Sequence, residues 1–343
     1  MSFYLSTLAV YFGIDLLSAW SLNLQFGFAG VPNFAFIIFQ AIGAYTAAIL
    51  TLGPDTGINS FQRYFFGASL PYPFPLIFAT LAGGALSYLI GSFSLKRMRR
   101  DYQAAVLLIV SLIAIQVVST VVRFLNGSNG LTGIPKPFSG VLNISVAAYQ
   151  WSYAAYVGVI CVIIYFILRR LLRSGWGRAV RAVRDHEDAA ATLGLNGTKV
   201  RMQVFVFGGM IAGLSGGLLV QFINAWSPAS WSYAETFGIL TAVIIGGVAN
   251  NKGAIVGTLL VQIIFLQLPS FLPQIGYPGL TAALQWVVIA SIWLIFMAVR
   301  PRGIIPEARY KVKPPKGLIT HDGDKAELLL ANLATSGKDK VTK

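Results

Sequence analysis

The chain has 343 residues, of which 56% are hydrophobic and only 11% are charged, whereas a soluble domain usually carries about 25% charged residues. This composition excludes an ordinary soluble protein and indicates an integral membrane protein. The net charge of +14 does not require nucleic acid, because the basic residues lie in short connections beside apolar runs.

Apolar runs of the length that crosses a bilayer as a helix, about 20 residues, follow one another along the chain. Helices are favoured because lipid offers no partner to an unsatisfied backbone, and the alternating pattern of a barrel is absent. The sequence therefore predicts an all-α polytopic membrane protein with about eight to nine transmembrane helices. The predicted spans are 3–20, 31–52, 72–93, 102–123, 151–170, 202–222, 235–249, 253–268 and 279–299.

The two spans at 235–249 and 253–268 are short, so they are predicted either as two spans or as one broken element that does not cross fully. Basic residues concentrate at 96–101, at 169–201 and after residue 299. Because basic loops stay in the cytoplasm, the pattern places the N-terminus outside and the C-terminus inside. Residues 1–311 are predicted to form the transmembrane domain.

Residues 312–343 change composition and become polar. The composition predicts a mobile cytoplasmic tail that follows the transmembrane domain.

Acidic residues are rare in the predicted spans, which contain only Asp15 and, at the edge of an apolar run, Glu235. This scarcity does not favour a proton relay. Polar side chains are the best candidates for lining a solute pathway, with hydrogen bonding between helices as the alternative. Asn33 and Gln40 are seven residues apart and are expected to share a helix face. The pathway candidates are Asn23, Gln25, Asn33, Gln40, Gln116 and Glu235.

Known chemical motifs are missing from the sequence. It contains no GxxxxGK[ST] phosphate-binding loop, and neither paired catalytic carboxylates nor a nucleophile–base pair can be recognised. We therefore expect a non-enzymatic chain that binds no cofactor and no metal by itself. If transport is uphill, a partner must supply the energy.

The segment GRAVRAVRDHEDAAATLGL at 177–195 is rich in charge and is too polar to span. Alanine and arginine favour a helix there, and Arg184 and Asp188 are spaced to pair at i,i+4. Four consecutive residues, 185–188, point in different directions around a helix and cannot converge on one metal ion. Two interpretations remain: a solvated loop helix, or a docking helix that receives force from a cytoplasmic motor.

The stretch DHEDAAATLGLN (185–196) resembles the EAA-type loop of ABC-importer permeases. More specifically, residues 15–308 resemble the permease subunits of branched-chain amino-acid ABC importers, a family that also includes urea and short-amide permeases. The resemblance rests on the blocks at 21–48, 128–135, 177–196 and 244–260, and on RPRGI at 300–304.

The resemblance implies a heteromeric importer in a bacterial inner membrane. Its pathway would be shared with a second homologous permease subunit, and a periplasmic solute-binding protein would deliver the solute. ATP and Mg would bind two cytoplasmic ATPase subunits, which would hold the coupling helix at about 178–195. The implied coupling residues are Arg184, Asp185, His186, Glu187, Asp188, Ala189, Ala190 and Gly194.

The solute is the least specified property of this importer. The resemblance favours amino acids, branched-chain ones first. VPNFAF at 31–36 departs from the Ser-x-Gly-His-type stretch of many relatives, which keeps urea or a short amide as an alternative solute. The sparse charge of the spans also leaves open a stand-alone channel for a small neutral solute.

Overall fold

Long apolar helices make up most of the structure, a computed structural model that describes residues 2–54, 62–98, 100–137, 145–261, 284, 287, 290, 291, 294–296, 298, 299 and 303–307. In chain order the helices are α1 (Ser2–Leu22), α2 (Phe36–Leu52), α3 (Phe74–Arg97), α4 (Arg100–Thr120), α5 (Val122–Leu125), α6 (Val146–Arg173), α7 (Gly175–Asp185), α8 (Glu187–Thr192), α9 (Gly197–Ile223), α10 (Tyr233–Gly246) and α11 (Asn251–Thr258).

Short irregular elements connect these helices. A π-helical turn at Asn23–Phe28 extends α1, and 3₁₀ turns lie at Gly127–Asn129 and Pro228–Ser230. Two short strands, β1 (Leu131–Thr132) and β2 (Ala225–Trp226), pair in antiparallel register.

Five stretches in the described part of the chain are helical, long and apolar enough to cross a membrane. They are Phe3–Phe28, Phe74–Arg97, Tyr102–Thr120, Ala148–Arg173 and Gly197–Ile223. They confirm the helical, polytopic character that the apolar runs predict. The total of eight to nine spans stays a prediction, since residues 262–283 and the tail 312–343 lie outside the described residues.

The helix α9 packs against α1, α2 and α3, and small residues allow the backbones to come close. A Cβ atom added at Gly43 of α2 would collide with the backbone of Gly213 in α9. One added at Gly216 would collide with the backbone of Gln40. Association of helices in lipid depends on such close packing, because lipid tails are as apolar as the side chains themselves. The many glycines of the spans therefore act at least partly in packing.

The outer faces of α4 and α6 carry large apolar side chains that no other part of the described structure covers. Ile109, Ile113, Val159, Ile163 and Phe166 are all more than half exposed. A monomeric soluble protein rarely exposes a continuous apolar surface of this kind. These faces are suited to contact with lipid.

The two ends of the helical bundle differ in charge. One end, here called the basic end, is formed by the π-helical turn, α7, α8, the α10–α11 turn and residues 303–307. The opposite end, here called the strand end, contains β1, β2 and residues 62–64. The basic end carries Lys96, Arg97, Arg169, Arg170, Arg173, Arg178, Arg181, Arg184, Lys199, Arg201 and Lys252, whereas the basic residues described at the strand end are Arg63, Arg123 and Lys136.

Candidate coupling site and polar cluster

The predicted coupling segment at 177–195 forms two helices instead of one. His186 has an extended backbone (φ −147°, ψ 94°) and separates α7 from α8. The sequence also gives a reason for a new helix start, because Glu187 and Asp188 occupy the first turn of α8. Negative side chains there interact favourably with the positive end of the helix dipole.

The end of α8 is closed by Gly194, whose φ of +80° lies in the left-handed region. The amide N–H of Leu195 donates to the carbonyl of Ala190 at 3.1 Å, which satisfies one of the last free carbonyls of the helix. Two residues later the Asn196 side chain accepts a bond from the Lys199 amide at 3.0 Å and starts α9. The segment is thus a pair of helices whose C-terminal end is defined by the turn at Gly194 and by the cap that starts α9.

One face of α7 packs onto the bundle through Gly177, Val180 and Val183, all of which are buried. The Arg181 guanidinium donates to the carbonyl of Leu172 at 2.9 Å, near the end of α6. The helix α7 is therefore fixed to the end of a long apolar helix.

The predicted pair of Arg184 with Asp188 is wrong, because the extended residue His186 turns α8 away from the face of α7. Arg184 instead donates to the Asp185 carboxylate at 2.9 Å and to the carbonyl of Gly27 at 2.8 Å. Its third bond, also 2.9 Å, goes to the Glu307 carboxylate. Partial burial lowers the pKa of the Arg184 guanidinium, but the two carboxylates outweigh burial and raise its pKa above the ordinary value.

Glu187 is turned towards the bundle and forms an ion pair with Arg201 in the first turns of α9. The Arg201 side chain is only 10% exposed, while that of Glu187 is 41% exposed. The pair holds α8 against α9. In this structure Glu187 therefore has a partner within its own chain.

All but one of the remaining coupling candidates form an exposed surface at the turn of the segment, here called the tip. The exception is Ala190, which is buried on the inner side of α8. Leu193 is 80% exposed and is the one large apolar side chain of the tip, amid small and polar neighbours. The exposed residues of the tip are Asp185, His186, Asp188, Ala189, Ala191, Thr192, Leu193 and Gly194.

Of the pathway candidates, Gln25 and Asn33 are buried and bonded to each other. The Asn33 amide donates to the Gln25 side-chain oxygen at 2.5 Å, and the Gln25 amide donates to the carbonyl of Phe205 in α9 at 3.1 Å. Asn33 precedes α2, which begins at Phe36, so it does not share a helix face with Gln40 as its spacing predicted.

Asn23 and Gln40 are buried as well. The Asn23 side-chain oxygen accepts a bond from the Ala249 amide at 2.9 Å, which joins α1 to the α10–α11 turn. The Gln40 amide donates to the Ser18 hydroxyl at 3.4 Å, and that hydroxyl donates to Ser215 at 3.1 Å. These bonds are the interhelical alternative to a pathway role, and the pathway role itself stays a prediction.

The last two pathway candidates lie elsewhere. Gln116 is exposed on α4, and Glu235 is half-buried in the first turn of α10. The six candidates thus do not form one continuous polar lining within the described part of this chain.

Residues that the sequence did not single out complete the basic end. Glu307 binds Arg184, and the Asn250 side chain donates to the carbonyl of Pro306 at 3.0 Å. Nothing near Glu307 in the sequence signals its partner, which lies 123 residues away. Within the part of the chain that the structure describes, no group of three His, Cys, Asp or Glu side chains is placed to hold a metal.

Comparison with known proteins shows extended similarity to transport permeases. The family described as branched-chain amino acid transport system, permease component, matches residues 4–298. A probable branched-chain amino acid transport permease LivM of Methanocaldococcus jannaschii is 26% identical, over 91% of this chain and 96% of its own length.

Two further relatives have related descriptions. The high-affinity branched-chain amino acid permease LivM of Escherichia coli is 26% identical over 89% of this chain and 70% of its own length. A probable LivH permease of M. jannaschii is 28% identical over 74% of this chain and 76% of its own. No solved structure matches the chain.

Proposed function

The chain belongs to the permease family of branched-chain amino-acid transport systems, and we propose that it forms, with a second permease subunit, the pathway of an ATP-driven amino-acid importer. The proposal rests on similarity over nearly the whole chain, together with the exposed tip on a firmly anchored pair of helices. Relatives of both the LivM and the LivH type are similar to this chain, which supports a pair of homologous permeases.

The tip is the surface suited to a cytoplasmic ATPase. Ala189 and Gly194 leave room for close approach, and Leu193 offers one apolar anchor. Such anchors, seated in a pocket, provide most of the binding free energy of many interfaces. ATP and Mg would bind the two ATPase subunits, whose closure would push on the tip. A periplasmic binding protein would deliver the solute to the strand end.

The charge of the two ends supports the orientation that this function needs. Basic connections remain on the cytoplasmic side, so the basic end with its tip would face the ATPases. The start of α1 lies at the strand end, which supports an orientation with the N-terminus outside. The membrane would then be a bacterial inner membrane, which the chain crosses several times.

Uptake of radiolabelled leucine into cells that produce the complete transporter tests the proposal. Ala189→Arg puts a large charged side chain on the tip, and we expect uptake to fall about 10-fold or more because docking is blocked. Ser174→Arg is the matched control, since Ser174 is exposed at the same end but away from the tip. Both variants should reach the membrane in equal amounts.

Three outcomes of these uptake measurements would contradict the proposal or its interpretation. Leucine uptake that persists at the full rate in Ala189→Arg, or without any ATPase, would overturn the importer and favour a stand-alone channel. Uptake of radiolabelled urea in place of leucine would overturn the amino-acid assignment and favour the urea or amide alternative. Loss of uptake in Ser174→Arg as well would show that added charge at this end, not docking, is responsible.

A further inference from the structure

Arg184 connects three parts of the basic end that are remote in sequence. From α7 its guanidinium reaches the carbonyl of Gly27, 157 residues away, and the carboxylate of Glu307, 123 residues away. The Arg184 side chain is 20% exposed and that of Glu307 is 33% exposed. Charge-assisted bonds in such a partly buried position are stronger and better oriented than those of a surface pair.

The carbonyl that Arg184 binds is one that the backbone leaves unsatisfied. Gly27 lies in the π-helical turn at the end of α1, and the Val31 amide that could have bonded to it donates to Gln25 instead, at 2.9 Å. The next position is Pro32, which has no N–H. A cation at this helix terminus also complements the negative end of the dipole. Arg184 therefore caps α1.

The segment that carries Glu307 is bound to the α10–α11 turn. The amide of Ile304 donates to the carbonyl of Ile245 at 2.8 Å, and that of Ile305 donates to Gly246 at 3.0 Å. The Asn250 side chain adds its bond to Pro306. Any displacement of Glu307 is thus passed to the end of α10 and the start of α11.

The same turn is tied back to α1. Asn23 accepts the amide of Ala249 at 2.9 Å, and the Trp20 indole donates to the carbonyl of Asn251 at 3.0 Å. The connections form a closed ring that runs from α7 to residues 303–307, on to the α10–α11 turn, to the end of α1 and back to α7. Arg184 connects α7 to this ring through two bonds, one to the Gly27 carbonyl and one to the Glu307 carboxylate.

We propose that Arg184 is the positioning residue that transmits movement of the tip to α1 and to the α10–α11 turn, with Glu307 as its partner. The inference rests on the proposed function, in which an ATPase acts on the tip. Movement of α7 displaces the Arg184 guanidinium. Through its bonds, this displacement shifts the end of α1 and, by way of Glu307, the α10–α11 turn. The π-helical turn at the end of α1 fits this role, because single π-helical turns are frequent at functional sites.

The test is the number of leucine molecules taken up per ATP hydrolysed by the complete transporter in proteoliposomes. In Arg184→Gln this ratio should fall about 10-fold, while the ATPase subunits still copurify and hydrolyse ATP. In Glu307→Gln the ratio should fall by less, about 3-fold, because the bond from Arg184 to the Gly27 carbonyl remains. Arg178→Gln is the matched control, an exposed arginine on the same helix, and should keep the wild-type ratio.

Arg184→Lys separates a transmitting role from simple charge. Lysine keeps the charge but lacks the planar fork that binds two acceptors at once, so most of the loss in the ratio should remain. A wild-type ratio in Arg184→Lys or Arg184→Gln would overturn the proposal. So would a parallel fall of copurification, ATP hydrolysis and uptake in both Arg184→Gln and Glu307→Gln, since a purely structural role predicts that pattern.

Failure of this inference is distinguishable from failure of the proposed function. If Ala189→Arg abolishes uptake while Arg184→Gln keeps the ratio, the tip docks an ATPase but Arg184 does not transmit its movement. If Ala189→Arg leaves uptake intact, the docking itself is wrong and the ring loses its role in transport.

Discussion

The strand end and the basic end of the bundle are held together by different mixtures of backbone and side-chain bonds. At the strand end, β1 and β2 pair through their backbones, and Gln62 binds both the amide and the carbonyl of Thr132 at 2.9 Å. At the basic end, backbone bonds join residues 304 and 305 to the end of α10, whereas the links among α7, α1 and the α10–α11 turn run through side chains, of which Arg184 and Asn23 are the clearest examples.

The difference bears on which end can move. A backbone ladder is lost only when its strands separate, because every bond depends on the same pairing. Side-chain links can break and form one at a time, since each involves a separate pair of groups. In the proposed function the ATPases act at the basic end, where side-chain links that break one at a time would allow local rearrangement, while the ladder of the strand end stays paired.

The largest expected effect is at the strand end, where Gly130→Ala would break the backbone fit. Gly130 has φ +69° and ψ −173°, a conformation that is essentially restricted to glycine, and an added Cβ would collide with the backbone of Trp226. We expect the free energy of unfolding to fall by about 3 kcal/mol or more. Thermal unfolding of the purified protein in detergent measures it.

Gly133→Ala is the matched control for that change. Its φ of +72° is also positive, but no atom lies within 4 Å of the added Cβ. A loss of about 1 kcal/mol is expected from strain alone. Equal losses at the two positions would show that the strand end is not closely packed.

The next-largest effect tests whether the two ends differ in their role in transport. Asn23→Ala leaves the buried amide of Ala249 without its acceptor and should lower the free energy of unfolding by about 2 kcal/mol. Gln62→Ala at the strand end removes two bonds and should cost a similar amount. Only Asn23→Ala is expected to lower leucine uptake per ATP. A fall of that ratio in both variants, or in neither, would contradict the division between a firm and a rearranging end.

The sequence predicts those features of the molecule that depend on local composition. Apolar runs locate the long helices, and glycine at helical spacing indicates their close packing, as Gly43 and Gly213 confirm. The charge and small residues of 177–195 also identify the segment that lies outside the long apolar helices, because a polar, alanine-rich stretch cannot lie in lipid.

Long-range partners lie beyond such reasoning. The i,i+4 rule assigns Asp188 to Arg184, but one extended residue at His186 removes that geometry and the real partner is Glu307. Similarly, Asn33 and Gln25 are polar residues whose sequence fits either a pathway or an interhelical bond. Which of the two roles applies depends on whether a backbone carbonyl lies within reach of the Gln25 amide. The packing of α9 places the Phe205 carbonyl there.

A smaller effect is expected for the ion pair of Glu187 and Arg201. Glu187→Gln leaves a largely buried guanidinium without its carboxylate, although exposure of Glu187 moderates the loss to about 1 kcal/mol. Asp188→Asn is the control, because Asp188 shares the first turn of α8 but is exposed. It should change the free energy of unfolding by less than about 0.5 kcal/mol. Equal effects would mean that the dipole of α8, and not the ion pair, fixes this helix.

The smallest effect on stability is expected at Leu193, which is 80% exposed. Leu193→Ala should change the free energy of unfolding by less than about 0.5 kcal/mol, because exposed side chains contribute little to the folded state. Leucine uptake should nevertheless fall severalfold, since the tip loses its one apolar anchor for the ATPase. Leu89→Ala, at an exposed leucine on α3, is the control that should leave uptake unchanged. If Leu193→Ala leaves both quantities unchanged, docking depends on the small residues of the tip alone, and the basic end needs no apolar anchor to be moved.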